Sequence, residues 1–156
     1  MRRIPVAKGK YWALVDDEDF EKVSKYKWYA RPVNTKIYAA SDIKVEGKVL
    51  RISMHRFILE TPKGVYVDHI DGDTLNNCRS NLRECTQSQN MANMGLTTRN
   101  KSGYKGVYYY RGWRSSVRFR NRTIHLGVFP TPLAAAKAYN KKIQELWGEF
   151  AKSNRL

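Results

Sequence analysis

Cysteine is almost missing from this chain of 156 residues: Cys78 and Cys85 are the only two. They lie seven apart with no second pair, so thiols alone cannot build a four-ligand zinc knuckle. Two reduced thiols in a reducing compartment are expected. Acidic side chains are also scarce, 14 against 29 Lys and Arg, which leaves a formal net charge of +15. No apolar run approaches the roughly 20 residues that cross a bilayer. Met1-Arg2-Arg3 leads into Pro5 and Lys8 with no apolar stretch behind it. No secretion signal is read there, and an intracellular protein in the cytoplasm of a host cell is expected.

What is present argues for folded cores. Hydrophobic residues make up 42% of the chain, with five Phe, ten Tyr and four Trp, which is not the composition of a disordered chain. The length suits one medium domain or two small ones. The charge is uneven. Residues 1–96 carry 16 basic and 12 acidic side chains, whereas residues 97–156 carry 13 basic and 2 acidic. Such a density predicts a polyanion partner, held with salt-sensitive affinity. A nucleic acid is the expected polyanion, and neither a membrane nor a small-molecule cofactor is expected.

The chain is organised around Val67 to Met94, VDHIDGDTLNNCRSNLRECTQSQNMANM. Tyr66 to Ile70 alternates as a short strand does, and Asp71-Gly72-Asp73 supplies a turn. Thr86 followed by Gln89 is a capping-box pattern, so a helix starts there with Asn90 in its first turn. Strand, irregular loop and short helix can aim a strand-borne Asp68 and a helix-borne Asn90 at one point. A carboxylate with an amide oxygen suits one hard divalent ion, Mg²⁺ or Mn²⁺. His69 is the side-chain type whose charge changes nearest neutrality, and so can act as general base on water. In a regular strand it faces away from Asp68, so both serving one site requires a bend. Taken singly, these residues are ordinary turn and helix chemistry; their spacing together points to a nuclease.

This run, DHIDG…NN…NL…T…N, resembles the HNH endonucleases of the ββα-metal fold, most of all their phage and intron homing branch, over about residues 52–94. The resemblance implies metal ligands Asp68 and Asn90, general base His69, and Asn81 as the catalytic-site residue that fixes the loop and orients His69. Asn90 stands where the family name has its last His. The branch also commonly carries a His-Arg pair where this chain has His55-Arg56. A structural His is the favoured reading there, with a role in steadying the scissile phosphate as the other.

The rest of the chain reads as parts that bring DNA to this site. Tyr11–Val15 reads as a strand, and Asp16 or Asp17 caps a short helix with Glu18 and Asp19 in its first turn. Lys27–Arg31, Ile37–Ser41 and Val49–Ser53 read as a meander with aromatics and bases interleaved, serving either to touch phosphates or to pack. Residues 95–103, GLTTRNKSG, read as a linker. Beyond it, Lys105–Tyr110, Trp113–Arg120 and Thr123–Phe129 read as strands with turns at Arg111-Gly112 and Asn121-Arg122. Thr131 then caps a helix with Pro132 at its first position. Arg114, Ser116, Arg118 and Arg120 share one strand face, opposite Trp113, Ser115, Val117 and Phe119. One face of the sheet is therefore covered by the helix and the other is bare and cationic, able to enter a major groove about 12 Å wide.

From Gly103 to about Asn154 this part resembles the AP2 DNA-binding domain, through YKGVYYY, Trp113 with VRFR, IHLGVF, AAAKAYN and WGEFAKSN. Arg118 matches the family. Lys105, Tyr108 and His125 depart from its usual Arg, Arg and Trp, so base preference does not carry over. Lys105, Arg114, Arg118, Arg120 and His125 are the expected DNA-facing residues, about half of them through phosphates alone.

The expected fold class is α+β: an N-terminal β-rich module (1–53), a ββα-metal core (54–94), a linker, and a small three-stranded antiparallel sheet packed on one helix (104–156). The expected function is divalent-metal-dependent DNA cleavage, by nicking, since one such site exists per chain. The alternatives are a DNA-binding regulator of the AP2 type that does not cleave, and a packaging protein explained by charge alone.

Overall fold

The computed structural model describes residues 1–97 and 99–156. The chain is a mixed α+β protein of small antiparallel sheets and short helices, in two compact units, Met1–Cys85 and Thr86–Leu156. No described helix is long and apolar enough to cross a membrane.

The first unit opens with β1 (Arg2–Val6) paired antiparallel to β2 (Tyr11–Val15). Alternation buries Ile4, Val6, Ala13 and Val15. Helix α1 (Asp17–Ser24) carries three acidic residues in its first turn, where the helix dipole favours them. A meander follows, β3 (Tyr29–Val33), β4 (Lys36–Val45) and β5 (Lys48–Ser53). Then come α2 (Met54–Leu59) and the hairpin of β6 (Tyr66–His69) with β7 (Leu82–Cys85). Trp28, Val23, Met54 and Ile58 complete the core around the β1–β2 ribbon, and the Trp28 indole donates to Val23 O at 2.9 Å.

Two of these strands are not legible in the sequence. Pro5 and two arginines make Arg2–Val6 a poor strand on its own, and Leu82–Cys85 carries two charges in four residues. Each takes its form by pairing, β1 with the apolar β2 and β7 with β6. Strand β2 and the meander both bond to the long loop between β6 and β7. Leu14 N donates to Leu75 O and Asn77 N to Leu14 O, both at 2.8 Å. Lys36 Nζ donates to Gly72 O at 3.1 Å, and Thr74 Oγ1 to Ile37 O at 2.6 Å. The N-terminal module holds that loop in shape.

The second unit begins with α3 (Gln87–Asn93). It continues with β8 (Val107–Tyr109), β9 (Trp113–Phe119) and β10 (Arg122–Phe129), in the order β10-β9-β8, and α4 (Pro132–Trp147). Thr131 Oγ1 accepts from Ala134 N at 3.1 Å and Pro132 takes the first turn, as expected. Ala135, Ala136, Tyr139 and Ile143 bury one face of α4, with Val107 and Val117 of the sheet in the same clusters. Gly106 lies at φ +74, where a Cβ would overlap the Tyr139 ring and meet Ser116 O at 2.8 Å. Only glycine allows helix and strand to approach there.

One expectation about this sheet is corrected. Phe119 pairs with Arg122, so the two-residue turn is Arg120-Asn121, both with left-handed φ. Arg120 therefore leaves the strand face that Arg114, Ser116 and Arg118 share. Two consecutive residues at positive φ match the twist of a tight hairpin.

Candidate active site

Asp68 and His69 end β6, and both are buried, at 5% and 4% exposure. Successive strand residues face opposite ways, and the two meet different partners. Asp68 lies across the ladder from Arg83. Its Oδ2 accepts from Arg83 Nη2 at 2.9 Å and Nε at 3.1 Å. The His69 ring meets Tyr38 and His55 edge to face, with centroids 6.1 and 5.0 Å away. Its Nε2 is 3.4 Å from Asn77 Oδ1, long for a hydrogen bond. Tyr38 links the two: its ring packs on His69, while burial and then the charge of Asp68 raise its phenol above the usual range.

Burial also governs the imidazoles. It pushes His69 below its ordinary value, and the Asn77 contact and the Asp71 charge recover part of the loss. His55 is pushed down to about 3, by burial first, then by repulsion from His69 whenever that ring is protonated, and by the Arg56 charge. Both rings are neutral at physiological pH. A neutral imidazole can take a proton from water.

Asn81, 8% exposed, ends a 3₁₀ turn, Arg79–Asn81. Its amide nitrogen donates to Asp71 Oδ1 at 2.9 Å and Asn76 O at 2.8 Å, and its Oδ1 accepts from Asp71 N at 3.0 Å. Its backbone O accepts from Ile70 N at 2.9 Å. Asn81 therefore ties the start of the loop to its end. Burial opposes the charge on Asp71, but hydrogen bonds from Asn76, Asp73 and Asn81 outweigh it and hold that carboxyl below its ordinary value.

Asp16, Glu18 and Asp19 lie close enough to suggest a cation site. A cation of the chain is already among them. Arg79 places Nε and Nη2 each 2.8 Å from Asp19 and Nε 3.0 Å from Glu18, and its backbone N donates to Asp16 at 2.7 Å. This cluster anchors the turn that carries Asn81. Arg56 is likewise structural, donating to Thr61 O, Pro62 O and Val65 O, which closes the loop before β6.

Asp68, His69 and Asn81 thus belong to the first unit. Asn90 lies on α3 of the second, at the end of a complete capping box: Thr86 Oγ1 accepts from Gln89 N at 3.3 Å, and Gln89 Oε1 accepts from Thr86 N at 2.8 Å. Of the expected DNA-facing residues, Arg118, Arg120 and His125 are exposed. Arg114 is half-buried, stacked on Tyr110 and donating to its carbonyl at 3.0 Å. Lys105 turns its ammonium to α3, donating to Ala92 O at 2.6 Å. Sequence reasoning passes over Tyr38, Asn77 and Arg83 and leaves His55 outside the site. The only available signal is the His55-Arg56 pair, since the others gain meaning through partners far along the chain.

The comparisons with known proteins bear on the family. Residues 60–92 match the family described as HNH endonuclease. An uncharacterised HNH endonuclease of Acanthamoeba polyphaga mimivirus is 36% identical over 155 residues, spanning 96% of this chain and 77% of that protein. Protein 3.8 of Escherichia phage T7 is 34% identical over 94 residues, spanning 58% of this chain and 77% of its own length. No solved structure matches the chain.

Proposed function

The chain belongs to the HNH endonuclease family, and from that premise we propose that it nicks double-stranded DNA with His69 as general base and one divalent ion held by Asp68 and Asn90. The observation that supports this reading is the neutral, buried His69 imidazole at the end of β6, where the loop that Asn81 ties together begins. The donor chemistry fits the ion: a carboxylate and an amide oxygen are hard ligands suited to Mg²⁺ or Mn²⁺. When bound, such an ion polarises a phosphate oxygen and stabilises charge on the leaving oxygen.

The remaining chemistry belongs to the chain. His69 takes a proton from water. The water oxygen bonds to phosphorus as the bond to the leaving oxygen breaks. Asn81 keeps the loop closed, Tyr38 and His55 pack edge-on against the imidazole and hold its orientation, and Arg83 pairs with the Asp68 carboxylate in its buried position. One such site per chain cuts one strand per event. A monomer of this kind fits homing or phage-encoded enzymes, in keeping with the viral and phage relatives.

DNA is gripped by the second unit, read as an AP2-like sheet. Exposed Arg118, Arg120 and His125, with Arg114 beside them, are its contacts. The support is a surplus of 13 basic over 2 acidic residues beyond residue 96. The domains of this reading are a nuclease domain, 1–94, a linker, 95–103, and the AP2-like domain, 104–156.

The test is supercoiled plasmid with Mg²⁺ or Mn²⁺, wild type beside His69→Ala. Open circles should form with wild type, and the variant should be slower by about 10²-fold or more. Binding without cutting in either metal supports instead the regulator of the AP2 type. Single-hit linearisation by a monomer would refute nicking.

A further inference from the structure

Lys105 sits at the base of the cationic sheet, where a DNA contact is expected, yet its ammonium is used inside the unit. Helix α3 has seven residues, and a helix shorter than about 12 residues does not hold itself. Its N-terminal end is closed by its own capping box. Its C-terminal end is held from elsewhere. Lys105 Nζ donates to Ala92 O at 2.6 Å and Met91 O at 3.4 Å, and Lys152 N donates to Ala92 O at 3.3 Å. A cation at a helix C-terminus also meets the favourable end of the dipole. Near the start of α3, Ser88 Oγ accepts from the Trp147 indole at 3.2 Å.

Lys105 is itself clamped. Its backbone N donates to Asn154 Oδ1 at 2.6 Å, and its O accepts from Asn154 Nδ2 at 3.1 Å. Asn154 is in turn bonded both ways to Asn140 of α4, at 2.7 and 2.9 Å. A polar chain therefore runs from α4 through the C-terminal tail and Lys105 to the end of α3. Beside α3 lies a cavity of about 630 Å³ lined by Met91, Lys105, Arg118, Tyr139 and Trp147. On that side a cavity flanks the helix, and these polar bonds tie it to the rest of the unit. Burial leaves the Lys105 amine poorly hydrated, with its pKa pushed down to about 8, which is the condition of an internal anchor.

We propose that Lys105 is a positioning residue for Asn90, fixing the C-terminal end of α3 so that the amide two residues before Ala92 points where the divalent ion binds. The proposal rests on the reading of Asn90 as a metal ligand. It gives the sheet-and-helix module a second role, mounting a helix of the catalytic machinery as well as gripping DNA.

The test uses the full chain and measures two things separately. One is duplex affinity in chelator, as a function of salt. The other is the single-turnover cleavage rate at saturating protein, as a function of Mn²⁺ concentration. For Lys105→Met, affinity should stay within about twofold and its salt slope should not change. The Mn²⁺ concentration for half-maximal cleavage should rise about tenfold, the loss typical when a group supporting a metal ligand is removed. Lys105→Arg, whose cation can still reach the carbonyls, should recover most of that loss. The double variant with Asn90→Ala should be no worse than Asn90→Ala alone, because both act through one ligand. Should Lys105→Met fail to fold, Trp147→Phe removes the bond to Ser88 and carries the same expected shift. A loss of duplex affinity with a salt slope smaller by about one, and an unchanged Mn²⁺ dependence, makes Lys105 a phosphate contact and overturns the proposal. Wild-type Mn²⁺ dependence in Asn90→Ala overturns the underlying metal assignment, whatever Lys105 does.

Discussion

Arg83 and Asp68 face each other across the β6–β7 ladder as a buried ion pair, Nη2 to Oδ2 at 2.9 Å, with side chains 14% and 6% exposed. Removing one partner strands the other charge away from water. Arg83→Met should cost about 3 kcal/mol, in the range found for broken buried pairs. If Asp68 also binds the divalent ion, that ion replaces part of the lost positive charge. Adding Mn²⁺ should then raise the melting temperature of Arg83→Met more than that of wild type. Equal shifts by calorimetry would count against Asp68 as a ligand.

His55 predicts the acid stability of the first unit. Its folded pKa is about 3, against an ordinary 6.5. Above pH 6.5 neither state carries a proton there, and its contribution is fully present. Between pH 6.5 and 3 the unfolded chain takes up a proton that the folded chain does not, so stability falls as pH falls. His69, also lowered, acts in the same direction. Denaturant midpoints measured from about pH 7 to about pH 4 should fall steeply in wild type and less so in His55→Gln. Parallel curves would show that His55 takes its proton without unfolding.

Asn81→Ala removes three side-chain hydrogen bonds, and leaves Asp71 N and Asn76 O without that partner. Asp71 is exposed and Asn76 half-buried, so water takes up part of the loss and the cost falls below the roughly 1–3 kcal/mol of a fully buried unsatisfied group. Cleavage should drop more than stability suggests, because His69 and Asp71 depend on the same loop. Retention of wild-type cleavage by a folded Asn81→Ala would separate loop closure from catalysis.

Arg118 is exposed on the strand face opposite buried Val117 and Ser115. Arg118→Ala should weaken duplex binding and reduce the slope of log affinity against log salt by about one. At saturating DNA its cleavage rate should match wild type. An unchanged salt slope in a filter-binding titration would remove Arg118 from the interface.

Much of the local structure was legible because its causes lie within a few residues. The Thr86–Gln89 capping box, the Thr131-Pro132 helix start and the alternation along β9 each depend on neighbours in the chain, and each is formed. Arg120 shows the limit of that reading. Alternation alone keeps it on the strand, whereas the pairing of Phe119 with Arg122 puts it in the turn. The strands β1 and β7 escape notice for a related reason, since each takes its form from the partner it pairs with.

The sequence by itself determined the family resemblance and the residues offered for the chemistry: the Asp68-His69 pair, Asn81 and Asn90 at set spacings, and a C-terminal half rich in Lys and Arg. Those are properties of residue type and order, and no folding is needed to read them. Tertiary structure alone decided the surroundings of those groups. It put His55 and Tyr38 against His69, set Arg83 opposite Asp68, and brought the Lys105 ammonium to Ala92 O of α3. The strength of an acid, the cost of a charge and the aim of a cation all depend on which distant segments exclude water around them, and only the folded chain brings those segments together.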